Sequence, residues 1–413
     1  MSPGGGERSV VPLPGPARSI LLVDCDMFFV QVARLEDPEG VGRERLVIVG
    51  GSPSGRGVVT SASYEARAFG VRSAMPTAQA LRLCPDAVVT GVPRRACSAR
   101  SQAVRRALEG LSPVVQAASI DEFYLDLTGT ERLFKGEALA ATAQRIRDAV
   151  LRETEISVSV GGGTTRVVAK LAVRRAKPGG VHVVPPGGEA AFLREHRLAD
   201  LPGVGPSLAA ALERRGLVTV RDALPVQRSW LERWFGESRG AWLHDRIRGV
   251  DPTPVTGHEP RKSVSSERTF AEDLEDDDAV ERELLRLASS AGRAMRSQGL
   301  QARTVTVKIR DGDFTTRQAG HTVPDTVASD AAIFTVARGL LGELRRRRRT
   351  GVRLLGVALS GLAERDAPRQ LPLFEEEDAL ETDRDRAISR VMDDLRDRFG
   401  HDAIRPGRIV DQS

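Results

Sequence analysis

The sequence lacks the marks of a membrane or secreted protein. Its 413 residues contain no run of eighteen or more apolar residues, so no segment predicts a membrane-spanning helix. Residues 1–18 are rich in glycine and proline and lack the apolar segment of a signal peptide, which indicates a disordered leader. Only three cysteines are present, Cys25, Cys84 and Cys97, and their spacing fits neither a disulfide framework nor a zinc site. These absences favour a cytoplasmic protein in a reducing compartment.

Charge is abundant but unevenly distributed. The chain has a net charge of +5, with 40% hydrophobic and 28% charged residues, as in ordinary globular proteins. Residues 375–413 contain 12 acidic residues and 7 arginines, which leaves a net charge of +10 on residues 1–374. A basic body favours a polyanionic partner, nucleic acid first, although many high-GC genomes encode Arg-rich proteins.

The order of patterns along the chain predicts an α+β protein of several domains. Residues 19–184 alternate strand-like apolar runs with helices, and residues 185–255 form short helices separated by proline and glycine. Residues 257–263, GHEPRKS, have the composition of a linker. Residues 264–363 return to strands and helices, and the chain from residue 364 onward is charged.

Two acidic sites interrupt strand-like runs. Asp24 follows the apolar residues 20–23, and Asp121 and Glu122 open a second, alternating strand. Carboxylates on two neighbouring strands can converge on a pair of Mg²⁺ ions, which align a 3′-hydroxyl with a triphosphate. Each site alone also fits an ordinary strand end. Because adjacent residues of a regular strand point to opposite faces, we expect Asp121 to lie in a bend before the strand begins.

Three stretches together resemble the Y-family (translesion) DNA polymerases, and most closely the bacterial DNA polymerase IV branch. They are LLVDCDMFFVQVARLEDP, GVVTSASYEARAFGVRSAMPTAQALRLCP and SIDEFYLDLTG. The likeness extends from residue 19 to residue 363 with order and spacing kept. It implies a right-hand polymerase with a ferredoxin-like palm, small fingers, a helical thumb and an α/β little finger.

The resemblance implies a catalytic metal site. Asp24, Asp121 and Glu122 match the carboxylates that bind two Mg²⁺ ions in the family, and Cys25 stands where a backbone carbonyl joins the metal ligands. Asp26 matches no metal ligand, and we expect it to form a local salt bridge.

The resemblance also implies a site for the sugar of an incoming dNTP. Phe29 matches the family's steric gate, an aromatic ring that leaves no room for a ribose 2′-hydroxyl. Phe28 would face the other way and belong to the core.

Four residues match positions that contact the triphosphate in the family. Tyr64 and Arg67 are three residues apart, so both lie on one face of a helix. Ser61 stands where the family usually has threonine, and Lys177 in AKPGG matches a lysine that reaches the phosphates. Without the resemblance each of these residues would be read as a surface residue.

Two departures from the family pattern concern the nucleotide pocket. Ala33 stands where the family typically has glutamate, and residues 173–176 replace a Ser-Asp-x-Asn-like run. Neither change removes a metal ligand, so they bear on pocket packing and catalytic efficiency rather than on the type of reaction.

Residues 201–224 contain LPGVG followed by a helix, the signature of a helix-hairpin-helix. Gly203 and Gly205 would let backbone N–H groups approach a DNA phosphate without reading sequence. A glycine-rich turn between two helices is the plainer alternative.

Residues 261–270 resemble the start of the little finger, whose strand at 304–310 would place polar and basic side chains along the DNA backbone. The arginine run at 345–349 fits either a solvated helix end or a DNA contact.

The charged tail contains one apolar island. Gln370, Leu371, Leu373 and Phe374 in QLPLF resemble the peptide with which bacterial polymerases bind the sliding clamp, the β subunit. The following residues have helical spacing and predict a terminal helix of unassigned role.

The sequence therefore predicts a DNA-template-directed DNA polymerase for error-prone translesion synthesis, a monomer without proofreading that binds primer-template DNA, dNTPs and the clamp. The expected segments are 1–18 leader, 19–28 and 93–184 palm, 29–92 fingers, 185–256 thumb, 257–263 linker, 264–363 little finger and 364–413 flexible tail with the clamp-binding peptide and the terminal helix. One alternative is a catalytically weak or silent Y-family scaffold between clamp and repair partners; such homologues lose the acidic ligands, and this chain keeps all three. Another is a different two-metal palm enzyme such as a nucleotidyl cyclase, which needs no primer.

Overall fold

The structure, a computed structural model, describes residues 17–130, 136–257, 260–365, 380–400, 403, 404 and 407. The chain divides into two compact units, Met1–Glu259 and Pro260–Ser413. Within the described residues no helix is both long enough and apolar enough to cross a membrane.

The first unit mixes strands and helices. Its strands are β1 Ile20–Cys25, β2 Val47–Gly50, β3 Val59–Ala62, β4 Val88–Thr90, β5 Val114–Ala117, β6 Glu122–Asp126, β7 Val158–Gly163 and β8 Val181–Val183. Its helices are α1 Phe28–Glu36, α2 Tyr64–Ala68, α3 Thr77–Leu83, α4 Arg94–Glu109, α5 Leu139–Thr154, α6 Arg166–Ala176, α7 Glu189–Leu193, α8 Pro206–Glu213, α9 Val220–Ala223, α10 Arg228–Phe235 and α11 Glu237–Arg246.

A five-stranded sheet of order β5-β6-β1-β7-β8 forms the centre of this unit, and β1 pairs antiparallel with both β6 and β7. Helices α4 and α5 cover one face of the sheet, and α6 covers the other. Every residue of β1 is therefore buried, as its continuous apolar sequence predicts for a central strand. Asp24 is carried into this interior near the end of the strand.

Helix α6 lies unusually close to the sheet because β7 ends in three glycines. A Cβ atom added to Gly161 would come within 2.2 Å of the backbone nitrogen of Val173 on α6. Only glycine permits this approach. This approach brings Lys170 of α6, and Lys177, which follows α6, to the end of β1.

A second, three-stranded sheet of order β3-β2-β4 packs against α1. Ala33 lies on the buried side of α1, in a cluster with Val30, Val47 and Val49.

Residues from α7 to α11 form a separate helical layer around buried leucines such as Leu212 and Leu243. Arg18, the end of the expected leader, donates hydrogen bonds to the backbone carbonyl oxygens of Asp251 and Thr253 and so belongs to the folded unit; residues 1–16 lie outside the described part.

The second unit is a four-stranded sheet of order β11-β10-β12-β9 with helices on one face. Its elements are β9 Ser263–Leu274, α12 Asp277–Arg296, β10 Leu300–Asp311, β11 Thr316–Val327, α13 Asp330–Arg347, β12 Val352–Glu364 and α14 Asp383–Phe399. The expected alternation holds on β10, where Val305, Val307 and Ile309 are buried between half-buried polar or basic residues. Strand β11 contains a proline and few apolar residues. Such a sequence is tolerated at the edge of a sheet.

The terminal helix α14 is present and docked on the second unit. Arg296 of α12 forms ion pairs with both Asp393 of α14 and Asp330 of α13, and Ser389 of α14 accepts a hydrogen bond from the backbone of Asp330. The helix predicted near the end of the chain thus spans Asp383–Phe399.

Candidate active site

A cavity of about 140 Å³ in the first unit brings together most of the residues singled out in the sequence. The predicted residues that line it are Asp24, Cys25, Phe29, Ser61, Arg67, Asp121, Glu122 and Lys177. They come from β1, α1, β3, α2, β6 and the end of α6, so residues far apart in sequence meet at one place. Tyr64 is the one residue predicted for this pocket that does not line the cavity wall.

The acidic residues meet because β1 and β6 are neighbours in the sheet. Asp24 pairs with Glu122 across the antiparallel ladder, which places their side chains on the same face. Asp121 lies in a bend immediately before β6, as expected, and its carbonyl oxygen accepts a hydrogen bond from the N–H of Cys25 at 2.9 Å. The bend frees the Asp121 side chain from strand alternation, so two adjacent carboxylates can face one cavity.

Two lysines pair with these carboxylates. The Lys177 Nζ atom donates to Asp24 Oδ1 at 2.6 Å, and Lys170 Nζ donates to Glu122 Oε1. Lys170 was missed in the sequence. The available signal was a second lysine seven residues before Lys177; Lys170 lies within α6, and Lys177 follows the last helical residue, Ala176.

Burial dominates the electrostatics of this site. It raises the pKa of Asp24 to about 6, although Lys177 acts in the opposite direction and Glu122 raises the pKa further. Burial also raises the pKa of the Cys25 thiol well above its usual value. The Cys25 side chain is therefore a neutral thiol, and the thiolate needed for metal binding through sulfur is disfavoured.

The donor set is suited to a hard divalent cation. Among the described residues no three acidic, histidine or cysteine side chains are gathered into a ready-made metal cluster. Each carboxylate has its own partner instead: Lys177 on Asp24, Lys170 on Glu122, and the Ser119 hydroxyl on Asp121. Carboxylate and carbonyl oxygens are the ligands that Mg²⁺ prefers, and a cation beside the buried Asp24 would stabilise its charged form.

Both rings of the aromatic pair at the start of α1 border the cavity, but only Phe28 is also buried in the core. Phe28 is 1% exposed, which confirms the expectation that it belongs to the core. Phe29 lines the cavity and packs edge-on against Phe28, with ring centroids 5.6 Å apart. The buried ring therefore fixes the orientation of the cavity ring.

Arg67 is held in place from three sides. Its Nε atom donates to the carbonyl oxygen of Ala62 at 2.9 Å, its Nη2 atom lies 3.4 Å from Ser61 Oγ, and its guanidinium lies over the Tyr64 ring at 5.1 Å. Tyr64 and Arg67 do share a helix face, as their spacing predicts. The Tyr64 hydroxyl, however, donates its proton to Asp26 Oδ1 at 2.9 Å.

The expectation of a salt bridge at Asp26 is wrong. Its carboxylate is 2% exposed and, within the part of the chain that the structure describes, accepts hydrogen bonds from neutral groups. The donors are the hydroxyls of Tyr64, Ser157 and Ser159 and the N–H of Gly179. No local pattern indicates this arrangement, because the four donors lie 38 to 153 residues from Asp26.

Comparison with known families identifies the protein class. Residues 23–174 match the impB/mucB/samB family, residues 261–373 match the C-terminal domain of that family, and residues 199–251 match the DNA polymerase-iota thumb domain. DNA polymerase IV of Halorhodospira halophila is 40% identical over 358 residues, which cover 86% of this chain and 98% of that protein. DNA polymerase IV of Dehalococcoides mccartyi (strain CBDB1) is 34% identical over 391 residues, or 95% and 97% of the two chains.

The chain belongs to the Y-family DNA polymerases. Solved structures agree: the Y-family DNA polymerase chimera Dbh-Dpo4(243-245)-Dbh superposes with a TM-score of 0.75 at 26% identity, covering 83% of this chain and 98% of that one. DinB from Sulfolobus solfataricus gives a TM-score of 0.57 at 27% identity with the same coverage. This Y-family polymerase is a DNA-directed DNA polymerase of translesion synthesis with an α+β multidomain fold. Dependence on divalent metal is general in the family.

The departures of this polymerase from the family pattern have packing explanations. Ala33 is buried between α1 and β2, where its small side chain fits. Arg174 and Arg175, in place of the expected polar run, form ion pairs with Asp200 and Glu195 of the helical layer. The altered positions therefore connect α6 to the helices that follow it.

The thumb-domain match of the polymerase contains the two candidate glycines. Gly203 has a φ of +95°, and a Cβ atom there would come within 2.5 Å of the Trp242 ring. Gly205 precedes α8, and a Cβ atom there would meet nothing within 4 Å. Gly203 is thus required by the turn itself, whereas the backbone at Gly205 is open to solvent.

Of the remaining candidates, the arginine run forms structural ion pairs and the clamp peptide is not described. Arg345 is buried and pairs with Asp277, as does Arg349, and Arg348 pairs with Asp311 and Asp313. Arg346 and Arg347 are exposed. The candidate clamp residues 370–374 lie outside the described residues.

Proposed function

We propose that this polymerase extends a primer on a DNA template by two-metal nucleotidyl transfer at the 140 Å³ cavity, with low fidelity and without proofreading. The observation that carries the proposal is the convergence of three carboxylates, an aromatic ring, an arginine and a lysine on that cavity. Those groups correspond to two parts of an incoming dNTP that must be held: its triphosphate with the bound metal ions, and its sugar.

Asp24, Asp121 and Glu122, with the backbone carbonyl of Cys25, would hold two Mg²⁺ ions. When bound, such ions neutralise phosphate charge and stabilise both the attacking and the leaving oxygen of an in-line displacement. In the absence of cations the paired lysines keep Asp24 and Glu122 from repelling each other.

Phe29 would exclude ribonucleotides. Its ring is fixed against Phe28 at the cavity wall, so a 2′-hydroxyl that met the ring could not displace it without disturbing a buried core residue. Rejection by a clash with a rigid group is an effective way to discriminate between two similar ligands.

Arg67, Ser61 and Lys177 would bind the triphosphate, with Tyr64 acting beneath them. Arg67 presents a planar set of donors, and Lys177 a mobile point charge. Lys177 forms an ion pair with Asp24 in this structure. A metal ion bound to Asp24 would replace Lys177 there and leave its ammonium group free to bind phosphate. Because the Tyr64 hydroxyl donates its proton to Asp26, it can only accept a further hydrogen bond. We therefore propose that Tyr64 supports Arg67, which lies over its ring.

Primer-template DNA is the proposed macromolecular ligand. The backbone N–H groups that follow Gly203 and Gly205 would approach a phosphate without base contacts. The polar face of β10, with Lys308 and Arg310, would contact the DNA backbone in the same sequence-independent way.

We assign the five-stranded sheet to the palm (19–28 and 93–184), residues 29–92 to the fingers, 185–256 to the thumb, 257–263 to the linker and 264–363 to the little finger. Within residues 19–363 this assignment leaves no segment for a proofreading exonuclease. Small fingers favour an open site that accepts damaged templates at the expense of discrimination.

We further propose a cytoplasmic monomer bound to the sliding clamp through Gln370, Leu371, Leu373 and Phe374.

The test is primer extension with Mg²⁺ and each dNTP separately, on undamaged and damaged templates, by the wild type and by Asp121→Ala. We expect extension by the wild type, continuing past lesions, and none by the variant. No extension by the wild type, or extension undiminished in Asp121→Ala, would contradict the proposal, and degradation of the primer from its 3′ end would contradict the absence of proofreading. A cyclase would consume nucleotide without primer, and a silent scaffold would consume none.

A further inference from the structure

Asp26 is a buried carboxylate that the proposed chemistry does not use. It is 2% exposed and is not part of the cavity wall. No described cation forms an ion pair with it. A buried charge of this kind is costly unless hydrogen bonds satisfy it, and Asp26 receives four.

Each oxygen of Asp26 serves two segments. Oδ1 accepts from the Tyr64 hydroxyl at 2.9 Å and from Ser159 Oγ at 2.8 Å, while Oδ2 accepts from the Gly179 N–H at 2.8 Å and from Ser157 Oγ at 3.2 Å. One carboxylate therefore joins the first residue of α2, strand β7 and the loop after α6.

Two of these segments carry the cations proposed for the triphosphate. Tyr64 lies three residues before Arg67 on α2, under its guanidinium. Gly179 lies two residues after Lys177. Asp26 is thus the common anchor of the Arg67 support and the Lys177 loop.

The backbone of Asp26 is itself immobilised. Its N–H donates to the carbonyl of Ser157 at 3.0 Å. The Gln31 side chain donates to the carbonyl of Asp26 and to that of Ser157, and accepts from the Ser157 N–H at 2.8 Å. Since both backbone and side chain are held, the carboxylate can act as a fixed point.

We propose that Asp26 is a positioning residue that sets the separation of Arg67 and Lys177 for the triphosphate of the incoming nucleotide. This inference rests on the proposed polymerase function. Asp26 touches neither substrate nor metal in this account, and its effect passes through Tyr64 and the Gly179 N–H.

The test compares Asp26→Ala and Asp26→Asn with the wild type in single-nucleotide incorporation, normalised to active sites. We expect the KM for dNTP to rise about tenfold in Asp26→Ala and less in the isosteric Asp26→Asn, with kcat within about threefold and DNA affinity unchanged, as for lost ground-state binding. Asp251→Asn is the matched control: Asp251 is also buried, but pairs with Arg246 away from the cavity. It should lower thermal stability and leave the KM unchanged.

A double-mutant cycle with Tyr64→Phe tests the route of the effect. If Asp26 acts partly through the Tyr64 hydroxyl, Asp26→Asn should raise the KM less in the Tyr64→Phe background than in the wild type. An unchanged KM in an active Asp26→Asn enzyme, or purely multiplicative effects in the cycle, would overturn the inference. Failure of the wild type to extend any primer would instead overturn the polymerase proposal, so the two failures are distinguishable.

Discussion

Lys177 forms an ion pair with Asp24, in which its Nζ atom lies 2.6 Å from Asp24 Oδ1. Asp24 is buried at the end of a central strand, and burial keeps its pKa near 6 even with the lysine present. A bound metal ion would compete with Lys177 for this carboxylate. The ion pair thus couples the metal site to the lysine proposed for the triphosphate.

Removing Lys177 should destabilise the metal-free protein and make it more responsive to metal. In EDTA we expect Lys177→Met to lower the free energy of unfolding by roughly 1–3 kcal/mol, because Asp24 is left buried without its donor. Mg²⁺ should then raise the melting temperature of the variant more than that of the wild type. Thermal denaturation with and without Mg²⁺ measures both effects.

The control for this prediction is Lys308→Met. Lys308 pairs with Glu267 on the surface of the second unit, and exposed pairs contribute only about 0–1 kcal/mol. Equal responses of Lys177→Met and Lys308→Met to Mg²⁺ would show that Lys177 does not compete with the metal.

Replacing Phe29 should relax sugar selectivity. In Phe29→Ala the cavity gains the volume of a ring, so we expect the preference for dNTP over NTP, as a ratio of kcat/KM values, to fall at least about tenfold. Phe69→Ala serves as the control, because Phe69 is 55% exposed and does not line the cavity. Unchanged selectivity in Phe29→Ala would mean that another residue is the steric gate.

The two thumb glycines should respond differently to alanine. Gly203→Ala forces a side chain into a positive φ and against Trp242, so we expect a loss of about 1–3 kcal/mol in unfolding free energy. Gly205→Ala meets open space and should change stability by less than about 0.5 kcal/mol. Chemical denaturation of both variants makes the comparison, and equal stabilities would show that the turn tolerates a Cβ atom at Gly203.

The sequence predicted those parts of the site that local patterns encode. An apolar run ending in Asp24 indicated a central strand, and the acidic pair before a second alternating strand indicated a bend at Asp121. Both features depend on strand periodicity alone. The assignment of Phe28 to the core and of Phe29 to the sugar site came instead from the resemblance to the Y-family polymerases.

What the sequence did not predict depends on tertiary contacts. Lys170 reaches Glu122 only because Gly161 lets α6 approach the sheet. The Asp26 network joins four donors from three distant segments and follows no periodic pattern. Arg345 stands in what resembles a solvated basic run, yet its side chain is buried against Asp277.

The most direct test of the account is single-turnover incorporation of one complementary dNTP in Mg²⁺ by the wild type and by Glu122→Gln, with Glu109→Gln as a surface control on α4. Glu122→Gln keeps the shape of the side chain and removes a charge that is proposed to bind metal. We predict a rate at least about 1,000-fold lower, with DNA affinity within about threefold of the wild type, as for loss of a group that acts in the transition state. A Glu122→Gln rate within about tenfold of the wild type would contradict the assignment of this cavity as the two-metal active site.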